Sequence, residues 1–88
     1  MKKSIISNDY ILFLAFLKQV RADAGITQDQ LAKKLKATQS FLSKVERGER
    51  RLDVIELRQW SRALGLSLSD FVVQMEKYIK EESRNLNK

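Results

Sequence analysis

Apolar residues recur at helical intervals in short blocks along this chain, and three of the blocks stop at the only three glycines. That pattern constrains the fold more than any other feature of the sequence. Tyr10, Phe13, Leu14, Leu17, Val20 and Ala24 fall on one face of a first helix, which starts near Ser7 or Asn8 and ends at Gly25. Ile11, Leu12 and Phe16 lie off that stripe, so this helix is more apolar than one buried face requires. Few stretches alternate as half-buried strands do, and there is no proline to break a helix. The chain reads as all-α, with short helices joined by tight turns.

Capping residues divide the remainder. Thr27 and Gln30 have the spacing of a capping box, in which each side chain satisfies the other's free backbone N–H. Leu31, Ala32 and Leu35 then point inward, Lys36-Ala37 is a turn, and Thr38 caps a third helix with Leu42 and Val45 inside. Asp53 and Glu56 repeat the capping box before a fourth helix with Leu57, Trp60 and Leu64 inside and Gly65 at its end. Ser67 or Ser69 opens a fifth helix carrying Phe71, Val72, Met75, Tyr78 and Ile79. One domain over residues 1–82 is expected, followed from Ser83 by a polar tail that frays.

The 88 residues carry a formal charge of +6. Lys33, Lys34, Lys36, Lys44, Arg47, Arg50 and Arg51 stand against only Glu46 and Glu49, whereas from Leu52 onward the two signs balance. A local basic patch of this kind meets a polyanion or is simply a solvated face. With no cysteine and no histidine, thiolate sites, disulfides and the commonest general base are excluded, and no metal or other cofactor is expected. No glycine-rich phosphate loop or clustered carboxylates are present, so an enzyme is not expected. Lys2 and Lys3 before the run Ile11–Leu17, with Ala22-Asp23-Ala24 after it, superficially resemble a leader. Asn8 and Asp9 interrupt its approach, Lys18 and Arg21 fall where it should be neutral, and the run is too short to span a bilayer. It reads as a core helix of a cytoplasmic protein.

From Gly25 to Gly48 the order of residues is specific. Gln28, Leu31-Ala32, Leu35, the stretch Gln39–Leu42, Glu46 and Gly48, with Ala63-Leu64-Gly65 further on, resemble the Cro/C1-type (XRE) helix-turn-helix family of phage repressors and bacterial regulators. The likeness covers about Leu14 to Phe71. It implies a five-helix, lambda-repressor-like DNA-binding domain with a helix-turn-helix unit at about 27–47, here with an extended C-terminal helix. The family usually carries glycine after the residue matching Leu35; this chain has Lys36.

In such a unit the second helix lies in the major groove while the first crosses the backbone. Gln39, Ser40, Ser43 and Lys44 stand where side chains reach base edges, and the resemblance favours Gln39, Ser40 and Lys44. Glutamine can pair with adenine N6 and N7, and lysine with guanine O6 and N7. Gln28, Lys33, Lys36, Arg47, Arg50 and Arg51 are candidates for phosphate contacts, Gln28 at the start of the second helix. Phe41 either touches a thymine methyl, meets the sugar–phosphate wall or only covers the turn. The family often pairs the positions of Arg21 and Glu46 in a partly buried ion pair, which would fix the recognition helix.

The resemblance implies a repressor, associated with the nucleoid, with double-stranded DNA as partner and a homodimer reading two half-sites. Ile11, Leu12 and Phe16 with Met75, Tyr78 and Ile79 form either the dimer seam or the packing of the fifth helix on the first. No room for a ligand-binding domain is visible, so no small-molecule ligand and no membrane contact are expected. The rival reading is an antitoxin or adaptor on the same fold, holding a protein partner through the C-terminal helix from Met75 to Leu86.

Overall fold

The computed structural model describes residues 7–86, without the side chain of Leu86. Lys2, Lys3 and the last two positions of the expected tail lie outside them. Five helices are formed: α1 (Asn8–Asp23), α2 (Gln28–Leu35), α3 (Gln39–Glu46), α4 (Val54–Ala63) and α5 (Leu68–Leu86). Among the described residues there is no strand, and no helix is long and apolar enough to cross a membrane. The chain is all-α, as its periodicity requires.

Each start is set by a short polar side chain. The hydroxyls of Ser7, Thr38 and Ser67 accept from the backbone N–H groups of Tyr10, Phe41 and Asp70 at 3.1, 3.0 and 3.0 Å. Thr27 with Gln30, and Asp53 with Glu56, form complete capping boxes. Each such cap stabilises its helix by about 1 kcal/mol. At the end of α1 the chain turns through Gly25 at φ 71°, a conformation that glycine adopts without the Cβ clash. The end of α2 turns in the same left-handed region at Lys36, φ 56° and ψ 40°, where the side chain makes that conformation costly.

Leu17, Leu31, Ala32, Leu42, Val45, Trp60 and Phe71 form a fully buried centre to which every helix contributes. Around it α1 packs on α5 and α3, and α2 packs on α3 and α4. One expectation about α1 is corrected here, and one alternative is decided. Ala24, placed on the inner face by periodicity, is an exposed C-cap, because the helix ends at Asp23. Leu12 and Phe16, placed off the inner stripe, are buried. The reason is α5: Phe71 and Tyr78 bring their rings to 5.2 and 5.3 Å from that of Phe16, so α1 is covered on a second side. Met75 and Tyr78 also pack against the core, and Ile79 is half-buried. Of the residues offered as a dimer seam, Ile11 alone is exposed. α5 itself continues to Leu86, past Ser83 where the sequence begins its tail.

Candidate nucleic-acid interface

α3 has one buried side and one open side. Leu42, Val45 and Glu46 are buried, while Gln39, Ser40 and Lys44 are exposed and Ser43 is half-exposed between them. Offsets of one, four and five residues from Gln39 place these four on a single helical face. The helix lies on the protein surface with its polar residues at the free edge.

Its position is fixed by a hydrogen-bonded relay from the interior to that edge. Glu46, 3 % exposed, accepts from Arg21 Nε at 2.8 Å and Arg21 Nη2 at 3.0 Å. The third Arg21 contact, Nη1 to the carbonyl of Ile26 at 2.9 Å, ties α1 to the loop before α2. Gln28 Nε2 donates to Glu46 Oε1 at 2.8 Å, and Gln39 Nε2 donates to Gln28 Oε1 at 2.7 Å. The relay thus joins α1, both ends of α3 and the start of α2. Two contacts from one guanidinium to one carboxylate define orientation as well as proximity. Gln39 retains Oε1 and one amide hydrogen, the acceptor and donor that adenine's Hoogsteen edge requires. The relay through Gln28 was not read from the sequence; the nearest signal is that Gln28 and Gln39 each open a helix of the same unit.

The candidate phosphate-binding residues divide by their present partners. Arg47 donates to Glu49 from Nε and Nη2 at 2.9 and 3.2 Å and also to the hydroxyl of Ser43. Arg50 grips Glu56 with two contacts of 2.9 and 2.8 Å, and its guanidinium lies 5.0 Å from the centre of the Phe41 ring. Arg51 stacks 4.0 Å above the ring of Tyr10, tying the loop to α1. Lys33 is 3.3 Å from Asp29, one turn earlier on α2. Lys36 and Lys44 are exposed and form no ion pair among the described residues. Phe41 is half-buried, its ring centre 6.5 Å from that of Trp60.

Glu49 and Glu56 were not assigned these partners by the sequence. Their carboxylates are electrostatically matched to the loop. The Arg47 hydrogen bonds hold the Glu49 carboxyl below its ordinary range, and they raise Arg47 in turn. Hydrogen bonds from Arg50, then from the backbone N–H of Asp53, lower Glu56 to about 2. Both pairs are exposed to water, where such bonds exchange readily with other anions. A phosphate presented to this loop meets guanidinium groups already held at the surface. Among the described residues no group of carboxylates could hold a metal ion.

The family model described as Helix-turn-helix matches residues 17–71. Among solved structures, an XRE-family like protein from Pseudomonas syringae pathovar tomato is 42% identical, with a TM-score of 0.72 over 78% of this chain and 84% of that one. The clp gene regulator ClgR from Corynebacterium glutamicum is 26% identical, with a TM-score of 0.76 over 92% of this chain and 85% of that one. A second structure of ClgR gives 30% identity and a TM-score of 0.67 over 81% and 91%. No curated protein matches the chain.

Proposed function

The chain belongs to the Cro/C1-type (XRE) helix-turn-helix family, and from that premise we propose that it is a transcriptional regulator, a repressor, that reads an operator in duplex DNA through α3. The observation that carries this reading is the open face of α3, with Gln39, Ser40, Ser43 and Lys44 at its edge and the Arg21–Glu46–Gln28 relay behind it. A rigid helix with such an edge fits the major groove, which is wide enough to admit it. Gln39 pairs with adenine and Lys44 with guanine, while Ser40 and Ser43 contact base edges or the intervening water.

Arg47, Arg50 and Arg51 grip phosphates beyond the C-terminal end of α3, and Lys33 and Lys36 do so from α2 and its turn. The free N–H groups at the start of α2 take a phosphate beside Gln28, whose own amide serves the relay. Phe41, half-buried beside Trp60, meets the sugar–phosphate wall with its open side. Two copies bind together, because one helix of this length covers only a half-site and operators are two-fold.

The test is selection of bound sequences from a random duplex pool. The expected outcome is a two-fold motif with half-sites about one helical turn apart. Recovery of no preferred sequence would refute base reading by α3.

A further inference from the structure

The last turns of α2 and α4 enclose an open cleft of about 550 Å³ that shares no residue with α3 or with the arginine loop. Lys34, Leu35 and Lys36 line one wall, and Gln59, Arg62 and Ala63 line the other. Three cations and one amide therefore face a common space, and no carboxylate lines it. Lys34, Lys36 and Arg62 form no ion pair among the described residues, whereas Lys33, Arg47 and Arg50 nearby all have acidic partners. Clustered like charges repel one another, which opposes what each gains from its own helix end.

Lys36 is the more telling member. It is the only non-glycine residue with positive φ among the described residues. Cations at helix C-termini complement the helix dipole, which accounts for Lys34 and Arg62. At Lys36, the C-cap of α2, that attraction must offset a left-handed turn that glycine would close without strain. A side chain kept at a conformational cost, beside two other cations without ion-pair partners among the described residues, suits a binding role.

We propose that this cleft is a phosphate site, with Lys36 and Arg62 gripping from opposite walls, Lys34 adding charge and the Gln59 amide donating a hydrogen bond. Its volume exceeds a single phosphate and suits a diphosphate group. Two sources supply that chemistry: a free phosphorylated small molecule, or backbone phosphates of DNA flanking the half-site. The second source rests on the function proposed above, and the first does not.

Two probes separate these sources: inorganic pyrophosphate followed by calorimetry at low ionic strength, and a random duplex followed across a salt series. Lys36→Gly and Arg62→Gln are compared with Lys77→Gln, which removes an equal charge from the exposed side of α5. Lys36→Gly also relieves the turn, so its unfolding midpoint should rise and loss of binding cannot be ascribed to misfolding. For a free ligand, both cleft variants bind pyrophosphate about tenfold more weakly, the value of one lost charge-assisted contact, while Arg62→Gln, which removes none of the DNA contacts proposed above, holds the duplex as before. For flanking DNA, Arg62→Gln also lowers the duplex salt slope, by about 0.9. If neither probe separates Arg62→Gln from Lys77→Gln, and pyrophosphate does not separate Lys36→Gly from it, the site is overturned. A wild-type chain that ignores duplex refutes the operator reading alone, since the pyrophosphate titration still reports on the cleft.

Discussion

Replacing Arg21 with methionine strands a carboxylate in the protein interior. Glu46 is 3 % exposed and receives two of its three side-chain hydrogen bonds from Arg21, at 2.8 and 3.0 Å. Each bond to a charged group contributes about 1.5–3 kcal/mol, and an ion left buried without its partner costs about 3–5 kcal/mol in all. Gln28 remains, but a neutral amide does not balance the charge. For a domain of this size a loss of that order lowers the unfolding midpoint by roughly 15–30 °C. Urea and thermal unfolding followed by circular dichroism would measure it. The double variant Arg21→Met with Glu46→Met leaves no charge behind and should recover most of the loss, giving a coupling above about 2 kcal/mol. A single variant within about 1 kcal/mol of wild type, or a double variant no more stable than the single, would refute the buried pair as the fixing point of α3.

Other outcomes follow from the same geometry. Ala32→Leu overfills the packed centre and should cost about 1–3 kcal/mol, measured by urea unfolding. The Glu56 carboxyl stands at about 2 against 4.5 without the fold, so its contribution to stability is complete above about pH 5 and is lost as pH falls toward 2. Glu56→Gln keeps the capping geometry and should flatten the thermal-stability profile across that window. The same variant removes the carboxylate that competes with phosphate for Arg50, so random duplex should bind more tightly. Gln39→Ala and Lys44→Ala should change the preferred base at single positions of a selected motif, by about 1–3 kcal/mol of discrimination each; a uniform loss over all sequences would make them backbone contacts instead.

Local signals in the chain placed three helix starts at Thr27, Thr38 and Asp53 and narrowed the other two to Ser7 or Asn8 and Ser67 or Ser69. Thr27 with Gln30 and Asp53 with Glu56 are short-range arrangements, and their chemistry is complete within four residues. Arg21 and Glu46, 25 residues apart, were legible only through the resemblance to a family. Burial of Leu12 and Phe16 stayed open between a dimer seam and packing of the fifth helix, because a helix's own periodicity records one buried stripe and does not say which element covers the rest. The arginines show the same limit. Their charges are plain in the sequence, but Arg50 on Glu56 and Arg51 on Tyr10 depend on how the loop folds back. The Lys34–Lys36–Arg62 cleft likewise exists only once α2 and α4 are packed together.

The affinity of the purified chain for random duplex DNA across a salt series tests the central claim most directly, because phosphate contacts come before any base is read. With Arg47, Arg50, Arg51 and at least one lysine on the backbone, log affinity should fall against log salt with a slope of about −3.6 or steeper. A flat line, or no binding at low ionic strength, would contradict DNA recognition by this fold and favour an adaptor that holds another protein.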